Sequence, residues 1–264
     1  MFMGQTMKEI SSIHNPTVAS LRELQKARAR REQGLFLADS VKMVREAIAL
    51  TLCRTLIVER GREGDYAQEI AQAEGLGCDV LLVTAAVMNA LSEQKTPQGI
   101  MATVAIRPEP QALCGSLIVA MDGVQDPGNV GTIIRTADAA GFDGVILSAQ
   151  CADVFSPKVL RATMGSIFRM GIRVTDDLPG MLSRMVKEGA CVLSSQLDGE
   201  PFYQRSKMSD RFVLVIGSEG NGVTDEVKNV ATHKVKLPMR GGAESLNAAV
   251  AAGIMMYELT RELD

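Results

Sequence analysis

Short apolar runs alternate with amphipathic segments along the first hundred residues. Asn15 followed by Pro16 is a helix-start signature, and the run VASLRELQKARARRE that follows predicts one helix with a basic face. Beyond it, the runs FLAD, TLIVE, CDVLLVT and GIMATVAI predict strands, and the segments between them predict helices, one of them over residues 40–50. This alternation predicts a small α/β domain.

Pro108 and Pro110 interrupt this pattern and predict a linker. We therefore expect one domain over residues 1–108 and a second over residues 114–264. From Leu117 a second alternation begins, in which the runs SLIVAMD, GVILS, GIRVT, CVLSS, FVLVIG and KVKLP are separated by helical segments. Apolar strands separated by helices predict a parallel sheet that is covered on both faces.

Composition narrows the functional classes. The 264 residues, 46% of them hydrophobic, suffice for two modest cores, and a net charge of −3 means that RNA binding would require local basic patches. Five cysteines without a CxxC pair and two histidines argue against a metal site and against a disulfide framework. Because no segment looks like a signal peptide or a membrane span, we expect a cytoplasmic protein.

The first of three glycine-rich segments is DGVQDPGNVGTIIRTADAAG, in which a strand ends at Asp122 and a helix begins after a turn. Such turns lie at the carboxyl edge of a parallel sheet, where ligands usually bind. Asn129 and Arg135 stand less than two helical turns apart, so we expect them to line one wall of a pocket. An ordinary βα turn with a surface arginine would give the same pattern.

The second segment is FVLVIGSEGNGVTDEV, where Gly217, Gly220 and Gly222 follow an apolar strand and Thr224 is placed to cap the next helix. Its spacing is GxxGxG, whereas a dinucleotide-binding turn requires GxGxxG, which argues against a Rossmann-type enzyme. A simple glycine turn is the alternative, although Glu219 in its middle adds nothing to such a turn.

The third segment is KLPMRGGAESLNAAVAAGIMMYEL. Ser245 and Asn247 stand at the predicted start of its helix, where hydroxyl and amide groups cap free N–H groups. The alanines and Gly253 in that helix permit close packing or a dimer contact.

The segments NVGTIIRTADAAG, IGSEGNGV and LPMRGGAESLNAAVAAG, in this order and spacing, resemble the three motifs of the SpoU/TrmH family of RNA 2'-O-ribose methyltransferases, within the SPOUT superfamily. The resemblance covers residues 117–264. Upstream, HNPTVASLRELQKARARREQGLFLADSVKMVREAI is similar to the opening of the L30e/L7Ae-like RNA-substrate-binding domain that often accompanies this family.

The resemblance implies a trefoil-knotted catalytic domain that acts as a homodimer with S-adenosyl-L-methionine as cofactor. The positions that match the family's cofactor site, or lie beside it, are Ser195, Gln196, Gly217, Gly220, Leu237, Met239 and Leu246. The positions that match its catalytic site are Asn129, Arg135, Glu219, Ser245 and Asn247. Ser218 departs from the family's usual GNEG, so no role for an asparagine amide is carried over there.

Methyl transfer to a ribose hydroxyl requires alignment of oxygen, methyl and sulfur and loss of the hydroxyl proton. The family proposal gives Arg135 a part in removing that proton, yet a guanidinium stays protonated in proteins. Our hypothesis is that Arg135 mainly holds an RNA phosphate and stabilises charge on the oxygen. Asn129, Ser245 and Asn247 would orient Arg135 and the cofactor carboxylate, while Glu219 would fix the loops or Arg135.

Two basic clusters are candidates for RNA binding, although such clusters are often only solvated helix faces. The second cluster begins a helix after a strand of the catalytic domain, so it is expected to border the pocket. The clusters are Arg22, Lys26, Arg28, Arg30 and Arg31, and Lys158 and Arg161. The L30e/L7Ae resemblance favours structured RNA, with 23S ribosomal RNA before transfer RNA. A non-catalytic RNA-binding relative is the remaining alternative.

Overall fold

The computed structural model describes residues 7–107, 115–205 and 211–261, and the predicted linker at Pro108 and Pro110 lies outside these ranges. Two compact units are present. The first comprises the described residues up to 107 together with Phe155–Phe168, and the second comprises the other described residues.

The chain up to residue 107 alternates strands and helices largely as predicted, with one additional strand at its start. The elements are β1 Lys8–Ile10, α1 Pro16–Glu23, α2 Ala27–Gln33, β2 Leu35–Ala38, α3 Val41–Ala49, β3 Cys53–Glu59, α4 Ala67–Gly75, β4 Asp79–Val83, α5 Ala85–Leu91 and β5 Ile100–Ala105. The described strands form a sheet of order β1-β4-β3-β5-β2, in which β1, β4 and β3 are parallel. β5 is antiparallel to both of its neighbours.

Both faces of this sheet are buried. Along β3, Leu56 and Val58 belong to one apolar cluster, whereas Ile57 between them belongs to the cluster on the other face. Successive side chains of a strand point to opposite faces, so a strand covered on both sides reads as a continuous apolar run. This is why TLIVE shows no alternation of apolar and polar residues.

The prediction of a single basic helix after Pro16 is wrong, because the chain turns between α1 and α2. In this turn the Lys26 N–H donates to the Glu23 carbonyl at 2.8 Å. The buried side chain of Arg30 then donates from Nη1 to the Leu24 carbonyl at 2.7 Å. A pattern of apolar spacing cannot reveal this break, because the residue that stabilises the turn is a buried arginine.

The second half of the chain follows the predicted alternation of strands and helices. Its elements are β6 Leu117–Asp122, α6 Pro127–Ala139, β7 Gly144–Ser148, α7 Pro157–Thr163, β8 Gly171–Thr175, α8 Leu178–Lys187, β9 Cys191–Pro201, β10 Phe212–Gly217, α9 Asp225–Val230, β11 His233–Lys236 and α10 Ala248–Arg261.

All strands described in the second unit form one sheet of order β11-β9-β10-β6-β7-β8, and each neighbouring pair is parallel. The predicted parallel sheet is therefore confirmed. β10 pairs with β6 in a register that sets Gly217 beside Asp122. Since both strands end at this point, the first two glycine-rich segments leave the sheet side by side at its carboxyl edge. The trefoil knot stays a prediction.

The segment Phe155–Phe168 differs from the expected layout, in which residues 114–264 form one continuous domain. It belongs to the first unit, where Leu160 and Phe168 are part of a buried apolar cluster. The ring of Phe36 stacks on that of Phe155 at 5.3 Å between centroids and lies 6.2 Å from that of Phe168. These apolar side chains explain why the segment, which follows β7 in sequence, leaves the second unit.

Candidate active site

A cleft of about 710 Å³ opens in the second unit where β10 and β11 end, beside the middle of β9. This volume lies in the usual range for sites that hold a small molecule. Its walls combine apolar, charged and backbone groups. The lining comprises residues 195–198, 216–223, Lys228, residues 236–239 and 244–246, Ala248, Ala251 and Met255.

Gly217 allows the chain to fold back closely on itself at the edge of this cleft. A Cβ atom at Gly217 would lie 2.1 Å from the carbonyl carbon of Gly222 and 2.2 Å from the nitrogen of Val223. Ser218 and Gly222 exchange backbone hydrogen bonds of 3.0 and 2.9 Å, and Gly222 has a positive φ of 67°. By contrast, no atom lies within 4 Å of a Cβ placed on Gly220. The tight loop thus requires glycine at 217 and leaves space at 220.

Most of the predicted cofactor and catalytic residues line the cleft. The residues expected to contact the cofactor are all among the lining residues: Ser195, Gln196, Gly217, Gly220, Leu237, Met239 and Leu246. Of the predicted catalytic residues, Glu219 and Ser245 are also part of its wall. Asn129, Arg135 and Asn247 are not among the lining residues.

Asn247, Asn129 and Glu219 form a continuous series of hydrogen bonds, which we call the Glu219 network. The side-chain oxygen of Asn247 accepts the N–H groups of Ala249 and Val250 at 3.0 and 3.3 Å and thereby caps α10. Its Nδ2 donates to Oδ1 of Asn129 at 3.0 Å, and Nδ2 of Asn129 donates to Oε1 of Glu219. These three predicted catalytic residues therefore meet in space, although Asn129 and Asn247 are 118 positions apart in sequence.

Arg135 does not lie where the sequence pattern placed it. It is exposed on α6, and its guanidinium makes no hydrogen bond or ion pair with the part of the chain that the structure describes. Asn129, at the start of the same helix, is instead held by Asn247 and Glu219. The prediction that Asn129 and Arg135 line one wall of a pocket is thus wrong for this cleft. Within the described ranges, neither Asn129 nor Asn247 is hydrogen-bonded to Arg135.

Asp122 is a structural member of the site that sequence reasoning missed. Its buried carboxylate accepts hydrogen bonds from the N–H and the hydroxyl of Thr224 at 2.7 and 2.8 Å. Thr224 was expected to cap α9, yet its side chain makes no capping bond. The bond to Asp122 instead joins the end of β6 to the loop after β10. The sequence offered one signal for this role, which is that an acidic residue stands at the end of an apolar strand.

Further charged side chains line the cleft without having been predicted there: Asp198, Lys228, Lys236 and Glu244. A hydrogen bond from Lys228 to Asp225 raises the pKa of the lysine and lowers that of the aspartate. Lys228 therefore stays positively charged. No spacing rule distinguishes such residues from other surface charges, so sequence reasoning had no means of selecting them.

The two predicted basic clusters both lie in the first unit. Arg30 is only 3% exposed, which removes it from the predicted basic surface. Lys26 pairs with Glu23 and Arg28 with Glu32, whereas Arg22 and Arg31 are exposed.

Lys158 and Arg161, on α7 of the first unit, are not among the residues that line the cleft, and their expected place at the border of the catalytic pocket stays a prediction. Arg161 lies 4.0 Å from Glu93.

No helix among the described residues is long and apolar enough to cross a membrane. In the same ranges, we find no group of three or more histidine, cysteine or acidic side chains arranged to hold a metal ion.

Comparison with protein families identifies both parts of the chain. Residues 116–257 match the model of the SpoU rRNA Methylase family, and residues 15–102 match an MRM3-like substrate binding domain. The chain belongs to the SpoU rRNA methylase family. It is an S-adenosylmethionine-dependent RNA methyltransferase with an N-terminal substrate-binding domain, as the motif resemblance predicted.

Individual relatives extend this likeness over nearly the whole chain. The chain is 35% identical over 255 residues to a 23S rRNA (guanosine(2553)-2'-O)-methyltransferase, RlmP, of Bacillus subtilis, with 96% of this chain and 99% of that protein covered. An rRNA methyltransferase from Sinorhizobium meliloti with bound AdoMet is similar in structure, with a TM-score of 0.86 at 34% identity over 98% of this chain and 99% of that one. The AdoMet complex of AviRb from Streptomyces viridochromogenes gives 0.85 at 25% identity, with coverage of 95% and 98%.

The cleft fits this cofactor in chemistry as well as in size. Leu237, Met239 and Leu246 offer apolar surface for an adenine ring. Residues 216–223 also line the cleft, and the close approach at Gly217 leaves no room there for a side chain. The charged side chains that line the cleft can pair with the amino and carboxylate groups of the cofactor's methionine part.

Proposed function

We propose that this enzyme methylates a ribose 2'-hydroxyl in 23S ribosomal RNA, in the cytoplasm. The observation that carries the proposal is the Glu219 network, which holds a carboxylate of the second glycine-rich segment at the cleft wall. The reaction and the RNA are those named for the relative RlmP, which this chain matches over nearly its full length.

The predicted cofactor residues would hold S-adenosylmethionine in the cleft. Bound there, the cofactor supplies an activated methyl group. Leu237, Met239 and Leu246 would enclose its adenosine part, while the backbone at Gly217 and Gly220 would form hydrogen bonds with it. Ser195 and Gln196 on β9 also line the cleft, and the amide of Gln196 is fixed by a bond of 2.9 Å to Ser194.

Arg135 is proposed to hold an RNA phosphate. It is exposed and makes no ion pair with the described chain, so its five N–H donors are available to an incoming oxyanion. Ser245, which is exposed in the loop before α10, is proposed to contact the substrate ribose.

The basic clusters of the first unit are proposed to form one RNA-binding surface. A shallow groove in this unit is lined by Leu24 and Gln25 from the turn between α1 and α2, and by Pro157 and Arg161 from α7. Arg161 is itself a member of the second cluster, and Leu24 and Gln25 lie between Arg22 and Lys26 of the first cluster in sequence. Phosphate contacts from such a surface strengthen binding without reading sequence. The members of the surface are Arg22, Lys26, Arg28, Arg31, Lys158 and Arg161.

A homodimer is proposed to form through α10. Val250, Ile254 and Tyr257 follow one another at spacings of four and three residues, so they share one face of the helix. They are 51%, 38% and 54% exposed, and Leu246 before the helix is 39% exposed. An apolar stripe of this kind on a helix surface is typical of a subunit contact, and the family resemblance implies a second copy.

Nucleoside analysis of methylated RNA tests the reaction. The purified protein is incubated with S-adenosylmethionine carrying a labelled methyl group and with ribosomal or transfer RNA from cells that lack its gene. Digestion to nucleosides and mass spectrometry should show the label on ribose, and only with ribosomal RNA as substrate. Label on a base would overturn the ribose assignment, and label only in transfer RNA would overturn the choice of substrate.

A further inference from the structure

We propose that the free carboxylate oxygen of Glu219, Oε2, accepts the proton that the ribose 2'-hydroxyl loses during methyl transfer. The inference rests on the proposed ribose methylation and adds the group that removes the proton. It gives Glu219 a chemical role where the resemblance implied only fixation of loops or of Arg135.

The Glu219 network fixes which atoms of each side chain donate and which accept. Because Oδ1 of Asn247 accepts two backbone N–H groups of α10, its Nδ2 is left to donate to Asn129. Asn129 must therefore present its oxygen to Asn247 and its Nδ2 to Oε1 of Glu219. The N-terminal end of α10 thus orients the Glu219 carboxylate through two neutral amides, those of Asn247 and Asn129.

This arrangement leaves the second oxygen of Glu219 available to a substrate. Within the described residues, Oε2 accepts no hydrogen bond, and Glu219 forms no ion pair. Glu219 lines the cleft and is exposed, so a ribose hydroxyl can reach it. The donor to Oε1 is a neutral amide, and no cation among the described residues pairs with Glu219.

The chemistry of the step favours a carboxylate over a guanidinium. An ionised carboxylate only accepts hydrogen bonds, whereas a protonated guanidinium only donates them and has no site for a further proton. In the proposed step the O–H bond of the ribose breaks and its proton moves to Oε2 of Glu219. The ribose oxygen forms a bond to the methyl carbon while the bond from that carbon to the sulfonium sulfur would break, which leaves the sulfur as a neutral thioether. The carboxylic acid then releases the proton to water. Arg135 retains its role as a phosphate contact.

The other charged groups of the cleft do not compete for this role. Lys228 and Lys236 are cations, and Asp198 and Glu244 lie in the cleft wall without bonds to the amide pair of Asn129 and Asn247. A step that depends on a carboxylate, and not on hydroxide, is expected to have a flat pH profile between about pH 6.5 and 9.

The decisive variant is Glu219→Gln, because its side-chain oxygen can still accept from Asn129 while the second position loses the ability to accept a proton. Glu226→Gln, which removes an exposed carboxylate of α9 outside the cleft, is the matched control. For both variants and the wild type, calorimetry measures cofactor affinity, filter binding measures RNA affinity, and single-turnover assays at saturating RNA measure methyl transfer as a function of pH.

We expect Glu219→Gln to bind cofactor and RNA within about threefold of the wild type, with a transfer rate reduced by roughly 10²- to 10⁴-fold. Its residual rate should rise about tenfold per pH unit, because hydroxide must then remove the proton, whereas the wild-type rate stays flat. Glu226→Gln should match the wild type in every measurement.

A Glu219→Gln enzyme that transfers methyl groups to ribose at the wild-type rate overturns the inference alone. A variant that loses cofactor binding overturns it too, since Glu219 would then hold the cofactor. If the wild-type rate itself rises with pH in proportion to hydroxide, the carboxylate is not the proton acceptor. If the wild type methylates bases and not ribose, the proposed function fails and the inference fails with it.

Discussion

At the residue scale, Gly217 and Gly220 show that two glycines of one motif can have different physical roles. The backbone of Gly222 and Val223 occupies the space that a side chain at Gly217 would need, whereas the space beside Gly220 is open. The spacing of glycines in the sequence marked both positions but could not show that their roles differ. The difference depends on how the loop folds back on itself. Arg30 is a second example. Its sequence context suggests a basic surface residue, whereas its side chain is buried and donates a hydrogen bond to the Leu24 carbonyl.

Alanine substitutions at these two glycines provide a paired test of the cofactor cleft. Gly217→Ala must displace backbone, so we expect a loss of about 1–3 kcal/mol in stability and at least a roughly tenfold loss of cofactor affinity. Gly220→Ala should change stability by less than about 0.5 kcal/mol and leave affinity nearly unchanged. Calorimetric titration with S-adenosylmethionine and urea unfolding measure both quantities. Equal affinities of the two variants would refute the assignment of this loop to the cofactor.

Because the thiol of Cys53 is buried, we predict that the free energy of unfolding decreases at alkaline pH. Burial, together with the neighbouring Cys78 thiol, raises the pKa of Cys53 from 9.0 to about 12. Above about pH 9 the unfolded chain ionises this thiol while the folded chain does not, so stability falls as pH rises towards 12, by at most about 1.4 kcal/mol per pH unit. Below pH 9 the group has no effect on the pH dependence.

Urea unfolding of Cys53→Ala and of the wild type, at a series of pH values from 7 to about 11, isolates this contribution. The variant is expected to be less stable at neutral pH because of the lost packing, by about 1 kcal/mol. The difference between the two proteins should shrink above pH 9. A difference that stays constant would contradict the role of this thiol.

At the element scale, the start of α10 combines the capping of a helix with the orientation of Glu219, the side chain that we propose is catalytic. Sequence reasoning recognised Asn247 as a cap and also as a family site residue, and the structure shows how one amide serves both purposes. Most helices and strands were predicted, since their apolar periods are local. The missed elements depended on distant partners: β1 exists because it pairs with β4, and the α1–α2 turn exists because Arg30 binds Leu24.

Two substitutions separate the functions of Asn247. Asn247→Asp keeps a capping oxygen and loses the Nδ2 donor, so we expect thermal stability within about 0.5 kcal/mol of the wild type and a clearly reduced methyl-transfer rate. Asn247→Ala loses the cap as well and should be destabilised by about 1 kcal/mol. Calorimetric melting and single-turnover transfer measure the two effects. Normal transfer by the aspartate variant would show that the Glu219 network is not needed for catalysis.

At the scale of the whole molecule, domain organisation was only partly predictable. The proline-rich break at residues 108–110 marked a change of pattern along the sequence. Nothing in the periodicity indicated that Phe155–Phe168 joins the first unit, because its aromatic and aliphatic residues would suit the core of either unit. For the same reason the sequence assigned Lys158 and Arg161 to the second domain, whereas they lie in the first unit.

The proposed dimer is tested by charge on the exposed face of α10. Ile254→Glu combined with Tyr257→Glu places two carboxylates in the proposed contact, so we expect a monomer in sedimentation experiments. Val174→Glu, at a 55% exposed apolar position on β8, is the control and should not change the mass. A wild type that sediments as a monomer at micromolar concentration, or a double variant that remains dimeric, would disprove this interface.

The central claim, ribose methylation of 23S ribosomal RNA by this cleft, is tested most directly by mapping 2'-O-methyl groups in the RNA of living cells. The map is compared between cells that lack the gene and the same cells carrying either the wild-type gene or the Gly217→Ala gene. We predict that one ribose of 23S ribosomal RNA loses its methyl group on deletion and regains it only with the wild-type gene. An unchanged 23S map, or full restoration by Gly217→Ala, would contradict the account.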